Sequence, residues 1–182
     1  EGSPDCGGCW TGSVVERAGV FHAFYTGHAP GHPTRPQSVC RATSRDLIHW
    51  EKSPSNPVLL PDARWYEPSD WRDPFVFWHP GERQYWMLIT ARLRRPVSAP
   101  RRGCIAVATS PDLATWQVRG PLWAPFSMHA PECPDLWRDG DAWRLLYSNG
   151  ATRVRTAASL EGPWAPCAQE AVDGRSFYAG KC

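Results

Sequence analysis

The chain has 182 residues, 42% of them hydrophobic, and a formal net charge of +2 from 20 basic and 18 acidic side chains. That length and composition suit one globular domain, neither disordered nor fibrous. Acids and bases are mixed along the whole length, which excludes a basic nucleic-acid face or a polybasic membrane-binding run, and no apolar stretch approaches the roughly 18 residues that span a bilayer.

The first residues lack the charged and apolar regions of a signal peptide, so the chain reads as soluble, with any targeting segment expected upstream of Glu1 and localisation left open. Seven cysteines are odd in number and scattered, and are read as mostly reduced thiols. Cys6-Gly-Gly-Cys9 has no second pair to complete a metal site, so neither metal nor cofactor is expected. Eleven tryptophans at this density either fill a β-rich core or line a groove that stacks on sugar rings.

Taken in chain order, the first unit opens at Thr11, turns at Gly19 and continues from Val20 to Thr26. The second opens at Asp73, turns at Gly81 and continues from Gln84 to Thr90; the third opens at Glu132, turns at Gly140 and continues from Ala142 to Ser148. Each is a short apolar run, a glycine turn and a second apolar or aromatic run, the pattern of a β-hairpin. Alternating strands follow at 38–43 and 104–109, and each unit closes on a related signature: Ser44-Arg-Asp-Leu-Ile-His-Trp50, Ser110-Pro-Asp-Leu-Ala-Thr-Trp116 and the looser Ser159-Leu-Glu-Gly-Pro-Trp164. Asp46 and Asp112 are expected to tie turn backbone rather than to catalyse, and the closing tryptophans to pack between units.

Four-stranded units of this size, without helical periodicity, predict an all-β fold and a β-propeller. The blades are expected at about 10–66, 67–125 and 126–172, with the first strand of another at 173–182. Three blades leave a ring open, so the propeller is expected to be incomplete and the chain alone to lack turnover.

The first strand of each propeller blade lies nearest the axis, so the residues that open these strands meet at one end of the channel. Thr11, Asp73 and Glu132 each stand eight residues before the hairpin glycine; aligning on Pro74 and Pro134 instead shifts the match by one. Either way Asp73 and Glu132 face a common opening, as a glycosidase needs for its acid and its charge-stabilising carboxylate. Arg72 is expected to favour the ionised form of Asp73.

At these residues the sequence resembles glycoside hydrolase family 32, the five-bladed β-fructosidases. Arg72-Asp73-Pro74 is similar to that family's Arg-Asp-Pro motif and Glu132-Cys133-Pro134-Asp135 to its Glu-Cys motif, in the same order. Trp10-Thr-Gly-Ser13 is similar to the aromatic-Ser-Gly-Ser strand of the second blade, and Ser176-Phe-Tyr-Ala179 to the Asp-Phe-Tyr-Ala strand of the fifth, with Ser176 where the family has Asp. The resemblance implies a retaining hydrolysis of fructosyl linkages of the sucrose, inulin or levan type. It makes Glu132 the acid/base and Asp73 the transition-state stabiliser, with Arg72, Ser13 and Cys133 in the substrate-binding set and Tyr178 as a pocket hydroxyl. Trp71 and Trp10 line the pocket or fill the core.

The family's nucleophile is an Asp in an earlier strand that nothing before Trp10 matches, and Asp5 stands in a loop-like context. The expected partner is an oligo- or polysaccharide. Two rival readings are a related propeller glycosidase acting on arabinose or xylose linkages, which Glu132-Cys-Pro-Asp135 argues against, and a sugar-binding propeller without catalysis. A protein scaffold is disfavoured by the paired axial acids.

Overall fold

Three four-stranded antiparallel sheets make up the chain, each a meander in which consecutive strands pair. The computed structural model describes residues 2–33, 35–95, 98–172, 174 and 177–182. The first sheet holds β1 (Gly8–Arg17), β2 (Val20–His28), β3 (Gln37–Ser44) and β4 (Glu51–Lys52). The second holds β5 (Tyr66–His79), β6 (Gln84–Leu93), β7 (Gly103–Ser110) and β8 (Gln117–Val118), and the third β9 (Glu132–Asp139), β10 (Ala142–Ser148), β11 (Thr152–Ala157) and β12 (Ala165–Ala171). A 3-10 turn at Ala99–Arg101 is the only helical segment among the described residues. The fold is the all-β, bladed one expected, with β1, β5 and β9 adjacent across the sheets and the ring left open.

Successive side chains on a strand point to opposite faces, and the middle sheet uses both. On β6, Met87 and Ile89 join a core shared with Phe24, Val39 and Leu59 of the first unit, whereas Trp86 and Leu88 join one shared with Leu136, Leu145 and Ala157 of the third. On β7 the same alternation sends Cys104, Ala106 and Ala108 one way and Ile105 and Val107 the other. A sheet covered on both faces has no polar face, so β7 is buried at every position.

The closing signatures behave as turns. Ser44 Oγ accepts the N–H groups of Asp46 and Leu47, and Asp46 Oδ1 those of Ile48 and His49 at 2.9 and 2.8 Å. Ser110 and Asp112 repeat this pattern onto Leu113, Ala114 and Thr115. Both carboxylates therefore hold backbone. Trp116 then packs edge-on to Phe24 across the first interface, with centroids 5.3 Å apart, and Trp164 lies in the second core. Trp50 departs from the pattern: it is 37% exposed, its indole N–H donating to the Leu47 carbonyl at 3.2 Å.

Asp5 is likewise structural. Its carboxylate accepts from Lys52 Nζ at 2.5 Å, Tyr25 Oη at 2.9 Å and the Ser3 hydroxyl, fastening the segment before β1 to β2 and β4. Burial pushes this carboxyl up, but the hydrogen bonds from Lys52, Ser3 and Tyr25 outweigh it and hold it well below the usual carboxylate range. A depressed folded-state value contributes stability that is complete above the unfolded value near 4 and is lost as pH falls toward the folded one. Asp5→Asn is expected to lower stability by about 2 kcal/mol at pH 7, and urea unfolding at pH 7 and pH 3 should show the gap to the unsubstituted protein narrowing at the lower pH.

Candidate active site

Each first strand carries a bulge at the same place. Arg72 pairs with Thr90 and Phe75 with Leu88, so Asp73 and Pro74 together oppose Ile89. Glu132 pairs with Ser148 and Asp135 with Leu146, so Cys133 and Pro134 oppose Tyr147. In the first sheet Trp10 pairs with Thr26 and Gly12 with Tyr25, which leaves Thr11 over. Gly12 follows because a Cβ there would sit 2.1 Å from the Phe24 carbonyl oxygen. The bulge residues Asp73 and Cys133 have left-handed backbone, with φ of 58° and 50°, a conformation held only where its surroundings enforce it.

This register decides between the two sequence alignments. Thr11, Asp73 and Cys133 are structural equivalents, and so are Trp10, Arg72 and Glu132. The count from the hairpin glycines, which matched Asp73 with Glu132, is off by one residue; the alignment on Pro74 and Pro134 is the correct one. Gly19 and Gly81 are the second residues of their turns, at 18–19 and 80–83, whereas Gly140 is the first of its turn at 140–141, so the third glycine does not mark the same point.

An unpaired bulge N–H must find its partner elsewhere, and here it finds the neighbouring sheet. The Asp73 N–H donates to Thr26 Oγ1 at 2.7 Å, and the Cys133 N–H to Asp73 Oδ2 at 3.0 Å. Thr90 Oγ1 lies 3.2 Å from the same Oδ2 and 3.1 Å from the Pro131 carbonyl oxygen. Past the last strand, the Ala179 N–H donates to Ser148 Oγ at 2.9 Å, and Ala179 too is left-handed, with φ of 58°. The segment at 177–182 thus docks on the third sheet as β5 and β9 dock on the sheets before them. Ser176 lies outside the described residues.

Arg72 sits between two carboxylates. Its Nη2 and Nε donate to Glu132 Oε1 at 2.6 and 3.2 Å, and its Nη1 to Asp70 Oδ1 at 2.5 Å and Gln37 Oε1 at 3.2 Å. Asp73 Oδ2 is 3.8 Å from Nε. The other oxygen of Glu132, Oε2, accepts from the Tyr178 hydroxyl. Glu132 is the accessible member, its side chain 31% exposed against 6% for Asp73.

Burial sets the electrostatics. It raises the Asp73 carboxyl above its ordinary value, against the opposing pull of the Cys133 N–H and Arg72. Arg72 favours the ionised form of Asp73 as expected, but it faces Glu132 and Asp70 first, and desolvation outweighs it. Burial, then the Asp73 charge, pushes the Cys133 thiol up to about 11, and burial with the Glu132 contact raises the Tyr178 hydroxyl.

Of the residues singled out from sequence, Arg72, Asp73, Glu132, Cys133 and Tyr178 converge here. Ser13 borders the cluster, its hydroxyl accepting the Val76 N–H at 2.9 Å. Trp10 is 42% exposed and stacked on His28 at 4.1 Å. Trp71 is fully buried in the first core, tilted against Tyr66 at 5.3 Å, so of its two readings the structure selects core packing over pocket wall. Asp70, Gln37 and the hydroxyls of Thr26 and Thr90 are additions. The hydroxyls were visible in the repeat, since the second run of each hairpin ends on Thr26, Thr90 or Ser148.

Comparison with known proteins places the chain in a family. The model described as glycosyl hydrolases family 32 N-terminal domain matches residues 2–161. Raffinose invertase of Escherichia coli is 31% identical over 198 residues, covering 96% of this chain and 39% of the relative. A fructan 1-exohydrolase of Aegilops tauschii is 30% identical over 163 residues, covering 87% and 25%. The chain thus spans well under half the length of these relatives. The solved structure of sucrose-6-phosphate hydrolase from Lactobacillus gasseri superposes with a TM-score of 0.79 at 22% identity, covering 100% of this chain and 40% of that one, a likeness of fold.

Thr90→Val keeps shape but removes the hydroxyl between Asp73 and the Pro131 carbonyl, leaving buried acceptors short of a donor. Stability is expected to fall by about 1–3 kcal/mol, measured as a lower urea midpoint at unchanged slope.

Proposed function

Because the chain belongs to glycosyl hydrolase family 32, we propose that it serves the hydrolysis of fructosyl linkages of the sucrose, inulin or levan type by retaining double displacement. Glu132 is the acid/base in this reading and Asp73 the stabiliser of the oxocarbenium-like transition state. The observation that carries it is the asymmetry of Glu132: Arg72 donates two N–H groups to Oε1, while Oε2 faces the Tyr178 hydroxyl. No proton can lie between Oε1 and a guanidinium, so the protonated acid carries it on Oε2, a defined direction for delivery to a leaving oxygen. Asp73, buried and fixed by three polar contacts, is pre-organised to answer charge that develops on the sugar ring.

The relatives named raffinose invertase and fructan 1-exohydrolase support fructosyl linkages over arabinose or xylose ones. Double displacement also needs a nucleophilic carboxylate. Nothing before Trp10 matches the family's nucleophile strand, and Asp5 is engaged by Lys52, Tyr25 and Ser3, so the nucleophile is expected outside the described residues.

In the full-length protein, Glu132→Gln is expected to lower turnover of sucrose or inulin by about 10²–10⁴, and less for an activated aryl fructoside. Asp73→Asn should reduce kcat more than it raises KM. Fructose release, run in parallel on sucrose, inulin, arabinan and xylan, checks both; binding of fructo-oligosaccharides without release would mark a sugar-binding propeller instead.

A further inference from the structure

Asp70 has no part in the roles given so far, yet it makes the shortest contact to Arg72. We propose that Asp70 is a positioning residue that acts on Glu132 through Arg72, offsetting the guanidinium charge so that Glu132 can hold the proton it must deliver. The inference rests on the acid/base reading of Glu132.

Asp70 stands two residues before Arg72 on β5, and its carboxylate meets Arg72 Nη1 directly. One guanidinium is then held on opposite edges: Nη1 meets Asp70, and Nε with Nη2 meets Glu132. Gln37 steadies the Asp70 edge, accepting from Nη1 and from the Trp71 N–H at 3.0 Å. The side chains of Arg72 and Asp70 are 10% and 13% exposed, so their charges act on Glu132 with little solvent between. A buried arginine facing Glu132 alone would stabilise the carboxylate and make a poor acid.

Asp70 is itself kept charged. Burial raises its carboxyl, but the Arg72 hydrogen bond and charge, with Arg92, hold it below its usual range. Arg92 Nη1 lies 3.4 Å from Asp70 Oδ2 and 3.6 Å from Glu67 Oε2, and Glu67 also pairs with Arg102. Beyond Asp70, then, the two cations Arg92 and Arg102 share the one acid Glu67, and Asp70 lies between Arg92 and Arg72. On the Glu132 side the facing groups are Tyr178, the Cys133 thiol, Asp73 and the Lys181 ammonium, the last donating to the Pro134 carbonyl at 3.0 Å. None of these touches Nη1, so Asp70 can be altered without touching them.

The test is Asp70→Asn, which retains an acceptor for Nη1 while removing the charge. In the full-length protein, the alkaline limb of kcat/KM for sucrose is expected to move to lower pH by about half a unit or more. Asp70→Glu should restore it. If Asp70 only props Arg72, the variant loosens the guanidinium from Glu132, and the limb stays in place or moves to higher pH; either result overturns the proposal. A second arm needs no turnover: in protein labelled with carboxyl-¹³C glutamate, the resonance missing from Glu132→Gln is assigned and titrated without substrate. Its midpoint should move down in Asp70→Asn as the limb does, and an unmoved midpoint overturns the coupling. Should the unsubstituted protein release no fructose, the function proposed above fails, while the carboxyl titration still decides the role of Asp70.

Discussion

The structure turns on one backbone N–H at each junction, where a segment meets the sheet before it. A bulge in each first strand throws a residue out of its own ladder, and its N–H cannot stay unpaired in a buried setting. The previous sheet supplies the acceptor: Thr26 Oγ1 for Asp73, Asp73 Oδ2 for Cys133, Ser148 Oγ for Ala179. A second rung lies just beyond, where Ser13 Oγ takes the Val76 N–H and Asp135 Oδ2 the Cys182 N–H. The middle sheet has Phe75 at that position and no acceptor to offer, and there Asp135 Oδ1 takes the N–H of Leu136 in its own strand. Packing between sheets is apolar and non-directional, so these bonds fix the axial residues relative to one another, which apolar contact alone would leave free to slide.

Asp73 occupies both ends of this chain of bonds. Its N–H is held by the sheet before it and its carboxylate holds the sheet after it, so its position is determined by three sheets at once. The same embedding desolvates the carboxyl, and burial outweighs the nearby Arg72 cation. Rigidity and a raised carboxyl thus have one origin. Glu132 is built differently: it is polar-bound on both oxygens yet a third exposed, the condition for a group that must reach a substrate.

Much of this was legible in the sequence because repeats carry their own controls. Three hairpins in a common pattern predicted the three sheets, and the Ser-x-Asp turns at Ser44 and Ser110 were read as backbone ties on turn chemistry alone. What failed was register by one residue, because glycine marks a turn without saying which of its residues it is: Gly19 and Gly81 stand second in their turns and Gly140 first. Pro74 and Pro134 were the better rulers, since a residue without an N–H is tolerated where the ladder is broken. Trp71 could not be placed, because alternation gives the face of a strand but a bulge reverses it. Asp70 and Gln37 were invisible for a different reason: their meaning comes from Arg72 lying between sheets, and no pattern within one unit encodes a partner from the next.

Once the register is right, the division of labour between neighbouring positions follows. The bulge position holds Thr11, Asp73, Cys133 and Ala179, and the position before it Trp10, Arg72, Glu132 and Tyr178. The bulge residues are small or compact, since Asp73 and Cys133 sit between two sheets and the last three of the four adopt a left-handed backbone that large branched side chains resist. The residues before them are long and chemically diverse, because at the edge of the bulge they project toward the opening without entering a ladder bond with the next sheet. The fold therefore keeps geometry and chemistry on adjacent residues of one strand. Arg72, Glu132 and Tyr178, drawn from three successive units, meet through side-chain tips alone, and their contacts can be that short only because the backbone one residue later is already fixed.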